Sequence, residues 1–412
     1  MSRYAALRIL GGLALGLLVG ALLPRWPGAA EAAVAVAKPV GKLWLDALTM
    51  TVVPLLFGLI LTGIAGAAGQ AAAGGIAFRT LILFAVGLVI ACAASAGIAT
   101  MLLGVWPVPK AAASLRPSGD VPALAPAGDW LTGLLPTNPI AAAAETAITP
   151  LVLFTLIFAL AASRIAPDRR EGLLAPMRGL VDAMLVIVGW VLWVAPLGVF
   201  ALALQVGTST AGGALGVLAH YVITVAACCL GVTLLALLAG ALLGGRGPLA
   251  FLRAAAPAQA VAVSTQSSLA TLPAMFQAVG ALGVSEAASA VVLPLAVAVF
   301  RVASAAANVA VTVYLAHVHG VSLAAGTVAA LVLVAATVSV AAVGLPAQVS
   351  FFATIAPVCV AAGVPVGLLP LLLAVESLPD LFRTLGNVTG DIAAAAIVGR
   401  NAPVSPAASP RP

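Results

Sequence analysis

The chain has 412 residues, of which 63% are hydrophobic and 7% charged, with a formal net charge of +6. That ratio excludes a soluble globular domain, and the lack of apolar–polar alternation excludes a barrel. The basic residues punctuate loops and form no single patch, which excludes a nucleic-acid footprint.

Apolar stretches of about 20 residues recur along the chain, and each can cross a hydrocarbon core roughly 30 Å thick. The expected class is an all-α polytopic membrane protein. A first span is expected near residues 5–24, a second near 41–68 and a third near 77–105. Arg3 and Arg8 ahead of "ILGGLALGLLVGALL", with "GAAEAA" behind it, imitate a secretory signal. A retained helix is the reading, because the rest of the chain needs no separate export signal. Residues 106–136 form a Pro-, Gly- and Ala-rich connector. A fourth span is expected near 138–164, then the most charged loop, "SRIAPDRREGLLAPMR", then spans near 178–206 and 213–244.

The last third differs. Residues 248–280 and 322–365 are apolar but interrupted by "STQSSLATLP" and "VSVAAVGLPAQVS". Each reads as two half-spans meeting at a tip, the pattern that points to a transporter binding site. A whole span is expected between them at 285–317, and the helix "ESLPDLFRTLGNVTGD" follows, giving a weak internal repeat. Cys92, Cys228, Cys229 and Cys359 lie in apolar runs without metal-ligand spacing and read as small buried residues. His317 and His319 end a segment and read as interfacial.

Lys and Arg in the loops set the orientation. With eight whole spans and both termini on one side, that side carries eleven basic residues and the other five, which favours cytoplasmic termini. The tail from residue 401 to 412 reads as disordered there.

Glu376, Asp380, Arg383, Asn387 and Asp391 fall at spacings of 4, 3, 4 and 4, one face of a helix. Four ionisable groups facing lipid would cost on the order of 10 kcal/mol, so the stripe faces protein or water. Asp380 and Arg383 are spaced to pair along the helix. A ladder that only glues helices together is the bland reading; a polar solute site is the functional one. The chemistry suits an amino acid. Arg383 offers a planar fork to a carboxylate, and Asp380 receives an ammonium group. Thr384 and Asn387 serve the remaining polar atoms. Ser267 and Ser268 at the first tip add hydroxyl and main-chain donors.

Several stretches resemble the dicarboxylate/amino acid:cation symporter family, the glutamate transporter-like proteins. They are "KPVGKLWLDALTMTVVPLLF", "LLPTNPIAAAAE", "APLGVFAL", "SSLATLP" and above all "DLFRTLGNVTGD". The resemblance implies eight spanning helices, two re-entrant hairpins, inverted repeats and a homotrimer. It implies that residues 1–245 are mainly scaffold (spans 1, 2, 4 and 5), with spans 3 and 6 joining a transport core at 246–400. That core would move against the scaffold as an elevator. Carried over, Arg383 would bind a side-chain carboxylate and Asp380 the amino group. Thr384, Asn387, Ser268 and Ser304 would complete the shell, and Asp391, with Asn387, would serve the coupling cation.

The departures lie at the coupling end. Where the family carries N-M-D-G-T in its seventh helix, this chain has Phe300, Arg301, Val302, Ala303 and Ser304. At the second tip Gly344 and Pro346 remain, but Ala347 and Val349 replace small glycines; at the first, Leu269 replaces a serine. The implied sodium sites are degraded, and no other metal and no cofactor is expected. Arg301 reads as a fixed cation standing in for one sodium ion, with Asp391, Asp380 and Glu376 as the partners the implied fold offers; the bland alternative is that it snorkels to an interface. A proton on Glu376 or Asp380 then becomes the driver, because burial favours a neutral carboxylate.

The expectation is a secondary transporter, not an enzyme, for an acidic amino acid or dicarboxylate in a bacterial-type inner membrane. Its partners would be the anionic or zwitterionic solute, the lipid bilayer and two further copies of itself. The rival is a transport-dead relative that binds or senses the same solutes.

Overall fold

Prolines set where the expected spans break. In the computed structural model, described for residues 3–71, 75–115, 135–145, 147–210, 213–341 and 347–400, the chain is helical, with no strand among these residues. The first helix, α1, runs Arg3–Leu22, close to the expected span. The expected second span is instead two helices, α2 (Pro27–Thr49) and α3 (Val52–Ala71). Pro54, third in α3, has no N–H to continue the ladder across Met50 and Thr51. The third, α4, spans Gly75–Val105 as expected.

The connector contains a 3₁₀ turn at Lys110–Leu115; most of it, residues 116–134, lies outside the described residues, as does the tail. The fourth span divides into α5 (Pro139–Ala144) and α6 (Ile148–Ala162), again with a proline, Pro150, third in the second helix. The expected charged loop is mostly helix. Pro167 opens α7 (Pro167–Trp193), with Asp168 in its favoured first turn. The expected fifth span therefore starts too late and misses a second break. Pro196 cannot donate to Leu192, and α8 (Ala195–Thr210) begins there. The sixth span is α9, Ala214–Leu243.

The first interrupted segment is a helical hairpin of α10 (Pro248–Thr265) and α11 (Ser268–Ala281). Gln266 turns the chain in the left-handed region at φ 52°, and Ser267 caps α11 by accepting from Ala270 N at 3.2 Å. The expected whole span at 285–317 is broken into α12 (Glu286–Val299) and α13 (Val302–His319). The second interrupted segment gives α14 (Ala325–Ala341) and α15 (Ala347–Ala361). The residues joining them, with Gly344 and Pro346, lie outside the described residues. Two helices close the chain, α16 (Leu369–Val375) and α17 (Ser377–Gly399).

Among the described residues, four segments are long and apolar enough to cross a membrane: Phe78–Val105, Pro167–Trp193, Ala214–Leu243 and, across its break, Ala288–His319. Helix α13 is the centre of the packing. Every residue of it except His317 is buried, and its Ala- and Val-rich sequence suits a helix surrounded on all sides. Helix α17 lies against α9, α10, α12 and α13. At the other flank, α1 packs along α8. Gly12, Gly16 and Gly20 make that approach possible, since a Cβ at each would come within 2.4, 2.6 and 2.4 Å of the carbonyl oxygens of Pro196, Phe200 and Leu204. This is small-residue packing every fourth position, which brings helix backbones together where no hydrophobic force does so. The four cysteines are free and buried.

Candidate functional site

The stripe becomes a site because α17 meets a broken helix at its middle. Gly386 and Gly390 give the close approach. A Cβ on either would lie 2.5 Å from Ala303 Cβ or Val302 Cγ1. Between those glycines stands Asn387, facing the break at Phe300–Arg301. The break is an inverse γ-turn on Arg301 (φ −85°, ψ 63°), with Val302 N donating to Phe300 O at 3.0 Å. A helix starting inside protein leaves N–H groups to satisfy. Asn387 Oδ1 accepts from Ala303 N at 2.9 Å and from Ser304 N at 3.1 Å, and its Nδ2 donates to Ser304 Oγ at 2.9 Å. Asn387 is thus the N-cap of α13, supplied from another helix. Its carbonyl, expected to face solute and cation, is taken up by this brace, while the Ser304 hydroxyl accepts there and keeps its own O–H.

One to three turns earlier, Arg383, Thr384, Asp380 and Glu376 are all buried. Glu376 is not inside the helix as expected. It caps α17 behind Pro379, the third residue, whose missing N–H separates α16 from α17. Arg383 does not take Asp380 as its close ion-pair partner. Its Nη2 lies 2.9 Å from Glu376 Oε1, both side chains being at most 5% exposed. Tyr221 Oη, on α9, donates to Glu376 Oε2 at 2.9 Å. Arg383 Nε has no hydrogen-bond partner among the described residues, so the guanidinium keeps a donor for a ligand. Thr384 Oγ1 donates to Asp380 O at 2.9 Å and retains its lone pairs.

Both interrupted segments reach this level. Gln266, at the first tip, donates through Nε2 to Ser377 O at 3.1 Å. Gln259 Nε2 donates to Thr389 Oγ1 at 2.9 Å farther along α17, on the face away from the stripe. From α15, the Phe351 ring lies 5.9 Å from Arg383 Cζ, within cation–π range. Ser267 and Ser268 are half-buried at the tip; the Ser267 hydroxyl is taken up as the cap of α11, and Leu269 is 70% exposed.

Asp391, a turn beyond Asn387, is 1% exposed, and neither carboxylate oxygen has a hydrogen-bond partner among the described residues. The cation acting on it is Arg301, which also acts on Asp380. Tyr221, Phe351, Gln266 and Gln259 were not singled out in the sequence. Tyr221 had a signal, a hydroxyl beside His220 in an otherwise apolar run, and Gln266 lay within the quoted interruption "STQSSLATLP"; Phe351 and Gln259 had none.

Buried charge where interrupted helices converge is the arrangement of a polytopic membrane transporter. The family model described as the sodium:dicarboxylate symporter family matches residues 5–401. The chain belongs to that family, which is one of transporters and not of enzymes. It is 26% identical to the proton/glutamate-aspartate symporter of Escherichia coli (strain K12), over 96% of this chain and 92% of the relative. It is 27% identical to C4-dicarboxylate transport protein 1 of Pseudomonas paraeruginosa (97% and 89%). It is also 29% identical to neutral amino acid transporter B(0) of Oryctolagus cuniculus (93% and 76%).

Proposed function

We propose that the chain is a proton-driven symporter of an acidic amino acid or a C4 dicarboxylate, with Arg383 as the anchor for the solute carboxylate. The observation that carries this reading is the buried Arg383–Glu376 pair. The pair is a single buried charge contact, already desolvated but without a hydrogen bond of good geometry, and a solute carboxylate that engages the guanidinium fork competes with Glu376 for it. A proton on Glu376 settles the competition. The neutral acid keeps Tyr221 as a hydrogen-bonding neighbour and gives up its claim on the guanidinium, which the solute then takes. When the solute leaves, the proton leaves too and the internal pair re-forms. One solute carboxylate thereby travels with one proton.

Charge bookkeeping supports proton coupling. Glu376, Asp380 and Asp391 set three acids against Arg301 and Arg383, leaving one negative charge that a single proton neutralises. Arg301 stands where a mobile cation would otherwise serve Asp391, so the coupling uses fewer sodium ions or none. The name of the Escherichia coli relative agrees with a proton as driver. Residues 246–400 form the moving core and most of residues 1–245 the scaffold, in a homotrimer of eight-span subunits with two re-entrant hairpins. The membrane is the bacterial inner one, with both termini cytoplasmic.

Proteoliposomes loaded and diluted to impose a pH gradient, in sodium or choline medium, test the reading with labelled aspartate and succinate. Gradient-driven accumulation in choline is expected. Steep sodium dependence without response to the pH gradient would overturn the coupling, and binding without any uptake would identify a binding-only relative.

A further inference from the structure

A groove of ≈ 210 Å³ runs along the outside of the core between α4, α9 and α17. The lining is apolar throughout: Val86 and Ile90 on one wall, Ala236 and Ala239 on the other, Ala394 beneath. Its inner end is Phe300, the residue at the helix break, stacked on Phe84 with ring centroids 4.5 Å apart. Val86 and Ile90 are 50% and 58% exposed, so the groove opens sideways, toward hydrocarbon in a membrane.

One end of the groove is basic. Leu243 and Ile397 line that end. Arg400 closes over it, donating from Nη1 to Leu243 O at 3.0 Å. Arg246 follows Leu243 by less than a turn, and Arg79 precedes the groove residue Leu83 by one turn of α4. Helices α4 and α9 run in opposite directions here, since a Cβ on Gly231 would meet Ile98 while His220, earlier on α9, lies 3.2 Å from Trp106 O just past the end of α4; the start of α4 and the end of α9 therefore share one end of the groove. All three arginines are exposed. An apolar slot opening to the bilayer, with Arg400 over its end and Arg79 and Arg246 on neighbouring turns, is complementary to an acyl chain ending in a phosphate.

We propose that this groove is a binding site for an anionic glycerophospholipid. One acyl chain lies against Phe300 and the phosphate sits among Arg79, Arg246 and Arg400. The site lies outside the solute pocket and touches the same break from its far side. The chain packs on Phe300, whose neighbour Arg301 is the fixed cation of the core, so lipid occupancy bears on the geometry that Asn387 braces.

The full-length protein is reconstituted in phosphatidylcholine nanodiscs with increasing phosphatidylglycerol, and thermal unfolding is followed. A saturable, phosphatidylglycerol-dependent rise in unfolding temperature is expected. Arg79→Gln and Arg400→Gln should each weaken its apparent affinity about fivefold. Ala236→Phe and Ala239→Phe, which fill the slot from either of two positions, should abolish it; two variants guard against one failing to fold. Three results would overturn the proposal: an equal rise with phosphatidylcholine alone, an equal rise with inorganic phosphate, or an unchanged phosphatidylglycerol response in both filled variants. A change in oligomeric mass on filling the slot would assign the groove to a subunit contact instead.

Discussion

Glu376 and Arg383 stand seven residues apart and meet at 2.9 Å inside the protein. Seven residues are about 10.5 Å of helix rise, and the pair closes because helical side chains lean toward the N-terminus. Arg383 leans back over Asp380 to the carboxylate at the cap of α17, and Tyr221 fixes that carboxylate from α9. The proposed solute anchor thus has an internal competitor for its guanidinium.

Replacing Arg383 by alanine removes a charge-assisted contact worth about 2–5 kcal/mol of solute binding. Calorimetric titration with aspartate and succinate should show no measurable binding. Near-normal affinity for either acid would remove Arg383 from the anchor position.

Glu376→Gln removes the competitor and leaves Tyr221 a polar neighbour. Breaking a buried pair costs about 3–5 kcal/mol in the substrate-free protein, and a bound carboxylate restores the missing partner. The rise in unfolding temperature caused by saturating succinate should be larger in this variant than in the native chain. Solute exchange should persist while pH-driven accumulation is lost. Equal stabilisation of the two proteins would argue that Glu376 and solute do not share Arg383.

Asn387→Ala leaves the N–H groups of Ala303 and Ser304 unsatisfied, at about 1–3 kcal/mol for each buried donor. A lowered unfolding temperature is expected even without solute. Asn387→Asp keeps the acceptor and should retain more of the stability than alanine does. The comparison by thermal unfolding separates a brace from a simple solute contact, which would leave the substrate-free protein unaffected.

Arg301→Met deprives Asp391 of its fixed cation. A free cation that binds only the folded protein stabilises it by mass action. Sodium chloride, compared with choline chloride, should raise the unfolding temperature of the variant and leave the native chain unchanged. Sodium stabilisation of the native chain equal to that of the variant would show that Arg301 does not occupy the cation's place.

Gly16→Leu inserts a side chain where a Cβ already falls 2.6 Å from Phe200 O. Overpacking of this kind costs about 1–3 kcal/mol or more. Loss of stability with unchanged solute affinity is the expected outcome, since α1 lies far along the chain from the stripe and contributes no residue to it.

The stripe on α17 was legible because burying charge in a membrane costs too much to happen without a partner, so its period alone required protein on that face. The first hairpin tip was legible for a related reason, a polar and serine-rich interruption of an apolar run, although Ser267, read as a donor toward solute, serves in the structure as the cap of α11. The second tip falls outside the described residues. Hydropathy misjudged α2–α3, α5–α6, α7–α8 and α12–α13, because an apolar run does not report whether its backbone ladder is continuous. Prolines 54, 150 and 196 carried that information at three of these places. At the fourth, Phe300–Arg301, no proline marks the break, which is held from outside by Asn387, 83 residues from Ser304 in sequence. Tertiary structure alone decided the partners of the buried charges. Sequence spacing offered Asp380 to Arg383, but only packing brings Tyr221 to Glu376 and Arg301 to the level of Asp391. In a low-dielectric interior the partner that wins is the one the surrounding helices hold at contact distance.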